Sequence, residues 1–166
     1  MSEVVMNRID DRLIHGQVVT GWTRLRNANS ILIVDDTVAR TPMMMDMFKF
    51  AAPPGVKLAA MTVAEAGERL KTLDEGNDRL IVLAKVPSTF LRLMELGYKP
   101  VDINYGAMAH KANSQRVAPN CELTPEEVQQ TEQLYQSGIR VWIQLVPFGG
   151  QKETDWKNVR GKLGLK

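Results

Sequence analysis

Short runs of valine, isoleucine and leucine recur along the chain and alternate with longer stretches of helical period, the pattern of strands buried between helices. The apolar runs predict strands at 4–9, 31–34, 56–61, 80–86, 101–105 and 139–146. Between them the helices carry their own punctuation. TVAE at 62–65 is a capping box, with Val63, Ala66, Leu70 and Leu73 following on one face. TPEE at 124–127 opens a second helix, with Thr124 as N-cap, Pro125 in the first turn and Gly138 as the stop. From Pro87, the segment PSTFLRLMELG puts Phe90, Leu93 and Met94 on one stripe and ends at Gly97. Val18, Trp22 and Leu25 begin another stripe, AAPPG at 51–55 reads as a turn, and the weakly periodic tail after 147 reads as a terminal helix. No repeat, low-complexity segment or long linker interrupts the pattern. The expectation is one α/β domain over 1–166, an open, mainly parallel twisted sheet with helices on both faces, since parallel neighbours need crossovers of this size.

Composition narrows the functional classes. The chain has 166 residues, and its 21 basic and 19 acidic side chains are interspersed for a net charge of +2. No basic stripe suited to nucleic acid results. Cys121, the lone cysteine, has no disulfide partner and no metal-ligand spacing around it, and is read as a packed thiol in a reducing compartment. The N-terminus has neither the basic nor the apolar region of a signal peptide, and no run approaches the roughly 20 apolar residues of a membrane span. A cytoplasmic protein is expected, one that reaches a membrane only by docking to something already there. Neither G-x-G-x-x-G nor a Walker A motif occurs, and no metal or cofactor is expected.

In open α/β sheets ligands sit outside the carboxyl ends of the strands. The first strand ends near Ile9 or Asp10, so DDRLIHG, residues 10–16 within the stretch RIDDRLIHGQVVTGW at 8–22, occupies its carboxyl-end loop. His15 falls there, just before a helix. A neutral imidazole, abundant near pH 7, can attack phosphorus without a separate base. Arg12 can clamp phosphoryl oxygens, backbone N–H groups from Gly16 onward and the helix dipole favour negative charge, and Asp10 or Asp11 can orient the imidazole or hold Arg12. Gly16 allows close backbone approach and clears a side chain from the attack path. Gln17 completes the set of candidate phosphate-binding or orienting residues, and the competing reading of His15 is a surface or helix-capping histidine.

RIDDRLIHGQVVTGW closely resembles the active-site signature of IIB components of the mannose/fructose/sorbose family of the bacterial sugar phosphotransferase system, R-x-D-[DE]-R-L-[IV]-H-G-Q. ILIVDD at 31–36, AAPPGVKL at 51–58 and INYGAM at 103–108 follow in the order that family shows, and the resemblance spans the chain. It implies that His15 accepts a phosphoryl group from a phosphohistidine on a IIA component and hands it to a sugar bound by the membrane IIC and IID components, with Arg12 as phosphate ligand. It implies the same open sheet, no metal or nucleotide, and a peripheral place at the permease. Self-association and the identity of the sugar are left open. One departure stands out: Ala107 replaces the second glycine of N-x-G-G-M, a change in a loop expected near the site.

Competing readings fit less well. A receiver domain would share the acidic pair Asp10 and Asp11, but Met61 and Thr62 stand where its acceptor aspartate belongs, and Lys85 follows the fourth strand rather than the fifth. A histidine phosphatase or mutase places arginine directly before histidine, where this chain has Ile14, and needs a second histidine. The other histidine, His110, is read as solvated or hydrogen-bonded. A non-catalytic regulatory or binding protein on the same fold is the remaining alternative. Met43, Met44, Met45 and Met47 could give it an adaptable surface, but on a helix after Thr41 and Pro42 they are read as core filling.

Overall fold

The computed structural model describes residues 1–73 and 75–166. Its elements follow in the order β1 (Glu3–Ile9), α1 (Gly16–Leu25), β2 (Ser30–Val34), α2 (Asp36–Ala39), α3 (Pro42–Ala51), β3 (Lys57–Met61), α4 (Val63–Lys71), β4 (Arg79–Ala84), α5 (Pro87–Glu95), β5 (Asp102–Tyr105), β6 (Gln115–Ala118), β7 (Cys121–Leu123), α6 (Pro125–Gln136), β8 (Arg140–Ile143), β9 (Thr154–Asp155) and α7 (Trp156–Lys162). The main sheet has seven strands in the order β3-β2-β4-β1-β5-β8-β9, all pairings parallel except β8 with β9. This is the mixed α/β architecture expected.

Strand alternation divides the apolar residues between two helical layers. Leu32, Val34, Leu80, Val82, Ile103 and Tyr105 pack with residues of α4, α5, α6 and α7, whereas Ile31, Ile33, Ile81 and Leu83 pack with residues of α1, α2 and α3. The chain leaves β1 through α1 on one face and leaves β4 and β5 through α5 and α6 on the other. Divergent exits from adjacent strands open a crevice at their carboxyl ends, the position where such sheets place ligands. The expected capping box forms between Thr62 and Glu65, and Thr124, the expected N-cap, forms a second one with Glu127. The terminal helix also forms, as α7.

Several expectations need correction. Val86 is the N-cap of α5, not part of β4, because Pro87 fixes the first turn of that helix. Val101 precedes β5 and is exposed, and β8 ends at Ile143, three residues short of Val146. Residues 144–146 instead spend their polar groups on Arg8, Trp22 and Gln151. The β6–β7 hairpin was not expected: its strands are too short for alternation to register. Leu25 at the end of α1 is exposed. The methionines of α3 do not simply fill the core: Met44 and Met45 pack against it, but Met43 and Met47 face outward beside a fully displayed Phe50. Cys121 is buried, as read, and burial pushes its thiol up to about 12.

Candidate functional site

The loop after β1 is pinned on both sides by neighbouring strands. The N–H of Asp10 donates to the carbonyl of Ala84 at 3.0 Å, and that of Asp11 to Ala107 at 3.0 Å. A tight turn follows, closed by the N–H of Leu13 on the carbonyl of Asp10 at 2.9 Å, with Leu13 in the left-handed region at φ 57°. Leu13 and Ile14 both turn into the α1-side core. His15 then stands exposed as the N-cap of α1 in an extended conformation, and its side chain caps nothing. Among the described residues its ring forms no hydrogen bond. Gly16 takes φ 38°, and nothing lies within 4 Å of where a Cβ would sit. The left-handed backbone by itself favours glycine at this position. The first turn of α1 contains no acidic residue, so its free N–H groups present an uncompensated positive end.

Behind the loop lies a buried charge network. Asp10 is fully buried, and its two carboxylate oxygens are divided between two arginines. Oδ1 accepts from the N–H of Arg12 at 3.0 Å and from its Nε at 3.4 Å. Oδ2 accepts from Arg8 Nη2 at 3.1 Å and from the N–H of Ala107 at 3.3 Å. Arg8, just as buried, also donates to Asn104 Oδ1 and to the carbonyls of Gln144 and Leu145 at 3.1 and 2.9 Å. Its guanidinium lies 5.4 Å from the centre of the Trp22 ring. Burial, partly opposed by Asp10, pulls its pKa down to about 10, which leaves it cationic at neutral pH. Arg12 is half-buried, and its Nη2, itself buried, has no partner among the described residues.

Of the expected site residues, the structure joins Asp10 to Arg12 and sets both on the loop that displays His15. Asp10 holds Arg12, the second of the two roles foreseen for the acidic pair; neither aspartate touches the imidazole. Asp11 instead accepts from the N–H of Ala109 at 2.6 Å, tying the loop to the segment after β5. Gln17 is exposed and lines a cavity of about 290 Å³ with Thr20, Arg24 and Phe148, apart from the Asp10 and Arg12 cluster. A second cavity, about 260 Å³, is bordered by Arg12, Asp11, Ala107 and His110. His110 is exposed and bonded through Nδ1 to Glu122 at 2.7 Å, which holds that carboxyl below its usual range. Ala107 does not adopt a left-handed conformation, so its methyl group is accommodated and its N–H still reaches Asp10.

Arg8 is the residue that sequence reasoning passed over, although it stands in the quoted motif. A signal was present: Arg8 and Asn104 both break apolar strand runs, and they prove to be direct neighbours in the β1–β5 register on one face of the sheet. The strand order also separates this fold from a receiver domain. There β1 lies between β2 and β3, whereas here its neighbours are β4 and β5.

Comparison with known proteins agrees with this geometry. The model of the family described as PTS system sorbose subfamily IIB component matches residues 4–164. A PTS system fructose-specific EIIB component from Bacillus subtilis (strain 168) is 26% identical over 92% of this chain and 94% of its own length. The PTS system mannose-specific EIIAB component of Escherichia coli (strain K12) is 32% identical over 84% of this chain, which spans 43% of that longer protein. Among solved structures, manxB from Thermoanaerobacter tengcongensis superposes with a TM-score of 0.89 at 30% identity, covering 98% of this chain and 97% of the other. The IIBSor domain of the sorbose permease from Klebsiella pneumoniae gives 0.87 at 25% identity, with 98% of both chains covered. With nearly every residue matched and the β1 loop at the sheet's crevice, the chain belongs to the sorbose subfamily of phosphotransferase-system IIB components, whose general role is phosphoryl transfer from IIA to a sugar.

Proposed function

We propose that His15 is the phosphoryl carrier of this chain and that Arg12 binds the group it carries. A neutral ring nitrogen of His15 attacks the phosphorus of a phosphohistidine on a IIA component. The new N–P bond forms as the donor's N–P bond breaks, and the donor imidazole leaves with the electron pair. In the second half the hydroxyl of a sugar held by the IIC and IID membrane components attacks the same phosphorus, loses its proton, and releases His15. Little covalent machinery is required, because in-line positioning and charge neutralisation carry most of such a transfer. The observation that supports this reading best is the contrast within one loop: an exposed, unbonded imidazole beside an arginine whose orientation is fixed by a buried carboxylate. The part-exposed guanidinium of Arg12 and the open N–H groups of α1 are donors suited to phosphoryl oxygens.

In this reading the protein is a sugar phosphotransferase subunit that works on the cytoplasmic side, peripherally attached to its permease. None of the helices among the described residues is long and apolar enough to cross a membrane. The relatives are named for fructose, sorbose, mannose and N-acetylgalactosamine, so the site is assigned the reaction and not the sugar. The test is incubation with a phosphorylated IIA protein of this family, followed by intact-mass analysis and acid treatment. One acid-labile phosphate on wild type, absent from His15→Ala, is the expected result. Phosphate on both proteins, or on neither while both are folded, would overturn the assignment.

A further inference from the structure

We infer that Arg8 is a positioning residue for phosphoryl transfer at His15: through Asp10 it orients Arg12, and its buried charge leaves the charge of Arg12 available to the phosphoryl group. The inference rests on the carrier reading above and adds to it a residue that makes no contact with the reacting atoms.

The first support is where Arg8 stands. Met6 and Arg8 share the α1-facing side of β1, where β4 places Ile81 and Leu83 and β8, beyond β5, places Trp142. Burying a guanidinium there is costly unless its donors and its charge are satisfied. The surroundings satisfy its charge and both Nη groups, leaving only Nε without a partner among the described residues, and they do so with acceptors from three different segments of the carboxyl rim: Asp10 after β1, Asn104 in β5, and the carbonyls of Gln144 and Leu145 after β8. No apolar side chain could tie those segments together, so packing alone does not account for an arginine.

The second support is the division of the carboxylate. Arg8 takes Oδ2 and Arg12 takes Oδ1, and each oxygen carries a backbone N–H as well. Asp10 therefore cannot rotate toward Arg12 without abandoning Arg8 and Ala107. Two guanidinium groups and one carboxylate leave a net charge of +1, and because Arg8 is buried while Arg12 is part-exposed, that surplus faces outward through Arg12. Without Arg8 the buried carboxylate would neutralise Arg12 in full, and the loop would lose that surplus positive charge beside His15.

The experiment follows phosphorylation of the full chain by phosphorylated IIA protein. It measures both the rate and the equilibrium fraction carrying phosphate, with circular dichroism melts as the control for folding. Arg8→Met should slow transfer by on the order of a hundredfold, the scale of a misplaced positioning group, and lower the equilibrium fraction. The double variant Arg8→Met/Asp10→Asn removes both buried charges and restores the net +1, so the equilibrium fraction should recover toward wild type while the rate stays reduced. A role in packing alone would not produce that recovery. Arg8→Lys keeps the charge but loses the planar fork, so it should slow transfer by about tenfold with the equilibrium fraction largely retained. Should Arg8→Met not fold, Arg8→Lys and the double variant carry the same comparison. Wild-type rate and occupancy in a folded Arg8→Met or Arg8→Lys protein would overturn the inference, as would a double variant less phosphorylated than the single one. Failure of wild type itself to accept phosphate would instead overturn the carrier reading.

Discussion

Replacing Gly106 with alanine isolates the steric demand behind the site. Gly106 follows β5, and its N–H donates to the carbonyl of Ile9 at 2.7 Å, which presses its Cα against the buried pair. A Cβ there would lie 2.1 Å from Arg8 Nη2, 2.5 Å from Asp10 Oδ2 and 2.6 Å from Arg8 Cζ. None of these atoms can yield cheaply, because Arg8 is held by acceptors on three segments and Asp10 by donors on both oxygens. The methyl group must part the ion pair, and breaking a buried pair costs about 3–5 kcal/mol. The stiffer unfolded chain returns roughly 0.4–1 kcal/mol, leaving a net loss of about 2–4.6 kcal/mol. For a chain of this length that corresponds to a fall in Tm of about 4–18 °C. The neighbouring Ala107→Gly variant provides the contrast. It removes a methyl group the backbone tolerates, keeps the N–H that Asp10 accepts, and should cost only about 0.4–1 kcal/mol. Thermal melts followed by circular dichroism, with phosphoryl transfer from IIA measured on the same samples, would decide the matter. A Gly106→Ala protein melting within about 2 °C of wild type would show that the pair is not fixed as described, and would refute the reasoning.

Two further outcomes follow from the same geometry. Arg12→Lys keeps the charge but cannot offer a planar fork to Asp10 and to a phosphoryl group together, so transfer should slow by about tenfold or more with Tm almost unchanged. An unchanged rate would remove Arg12 from the site. The buried Cys121 should resist iodoacetamide at pH 8 in the native protein and react once unfolded. Its thiol ionises near 9 ordinarily and only at about 12 in the fold. Between those values the unfolded chain has lost a proton that the native one keeps, so stability should fall as pH rises from about 9. Cys121→Ala should flatten the start of that alkaline limb in chemical denaturation; an unaltered slope would contradict the burial argument.

The layer arrangement was legible because strands buried on both faces leave unbroken apolar runs, and because Thr62, Thr124 and Gly138 mark helix ends by local chemistry. What escaped the sequence was set by distant parts of the chain. Arg8 reads as a charge at a strand end until β5 and β8 supply its acceptors. The exposure of Met43 and Met47 depends on how far α3 sits from the sheet, which periodicity within the helix does not encode. Gly16 and Gly106 look alike in sequence but meet different demands. One satisfies a left-handed backbone, and the other makes room for a side chain nearly a hundred positions away.

The loop itself shows how a carrier can be both accessible and preset. On the proposed carrier reading, a histidine that meets a donor protein and then a sugar has to stay exposed, and nothing among the described residues holds the ring of His15. Precision must then come from the backbone on either side. Leu13 in a left-handed conformation is a strained choice, costing about 1–3 kcal/mol. Burying Leu13 and Ile14 contributes about 1.5–3 kcal/mol apiece, enough to outweigh that strain and to fix the turn between Arg12 and His15. Leu13 and Ile14 thus set the path of the chain between Arg12 and His15, the two residues proposed to meet the phosphoryl group. The functional loop is held from the α1-side core in the same way that Arg12 is held from Arg8, by groups buried one layer behind the chemistry.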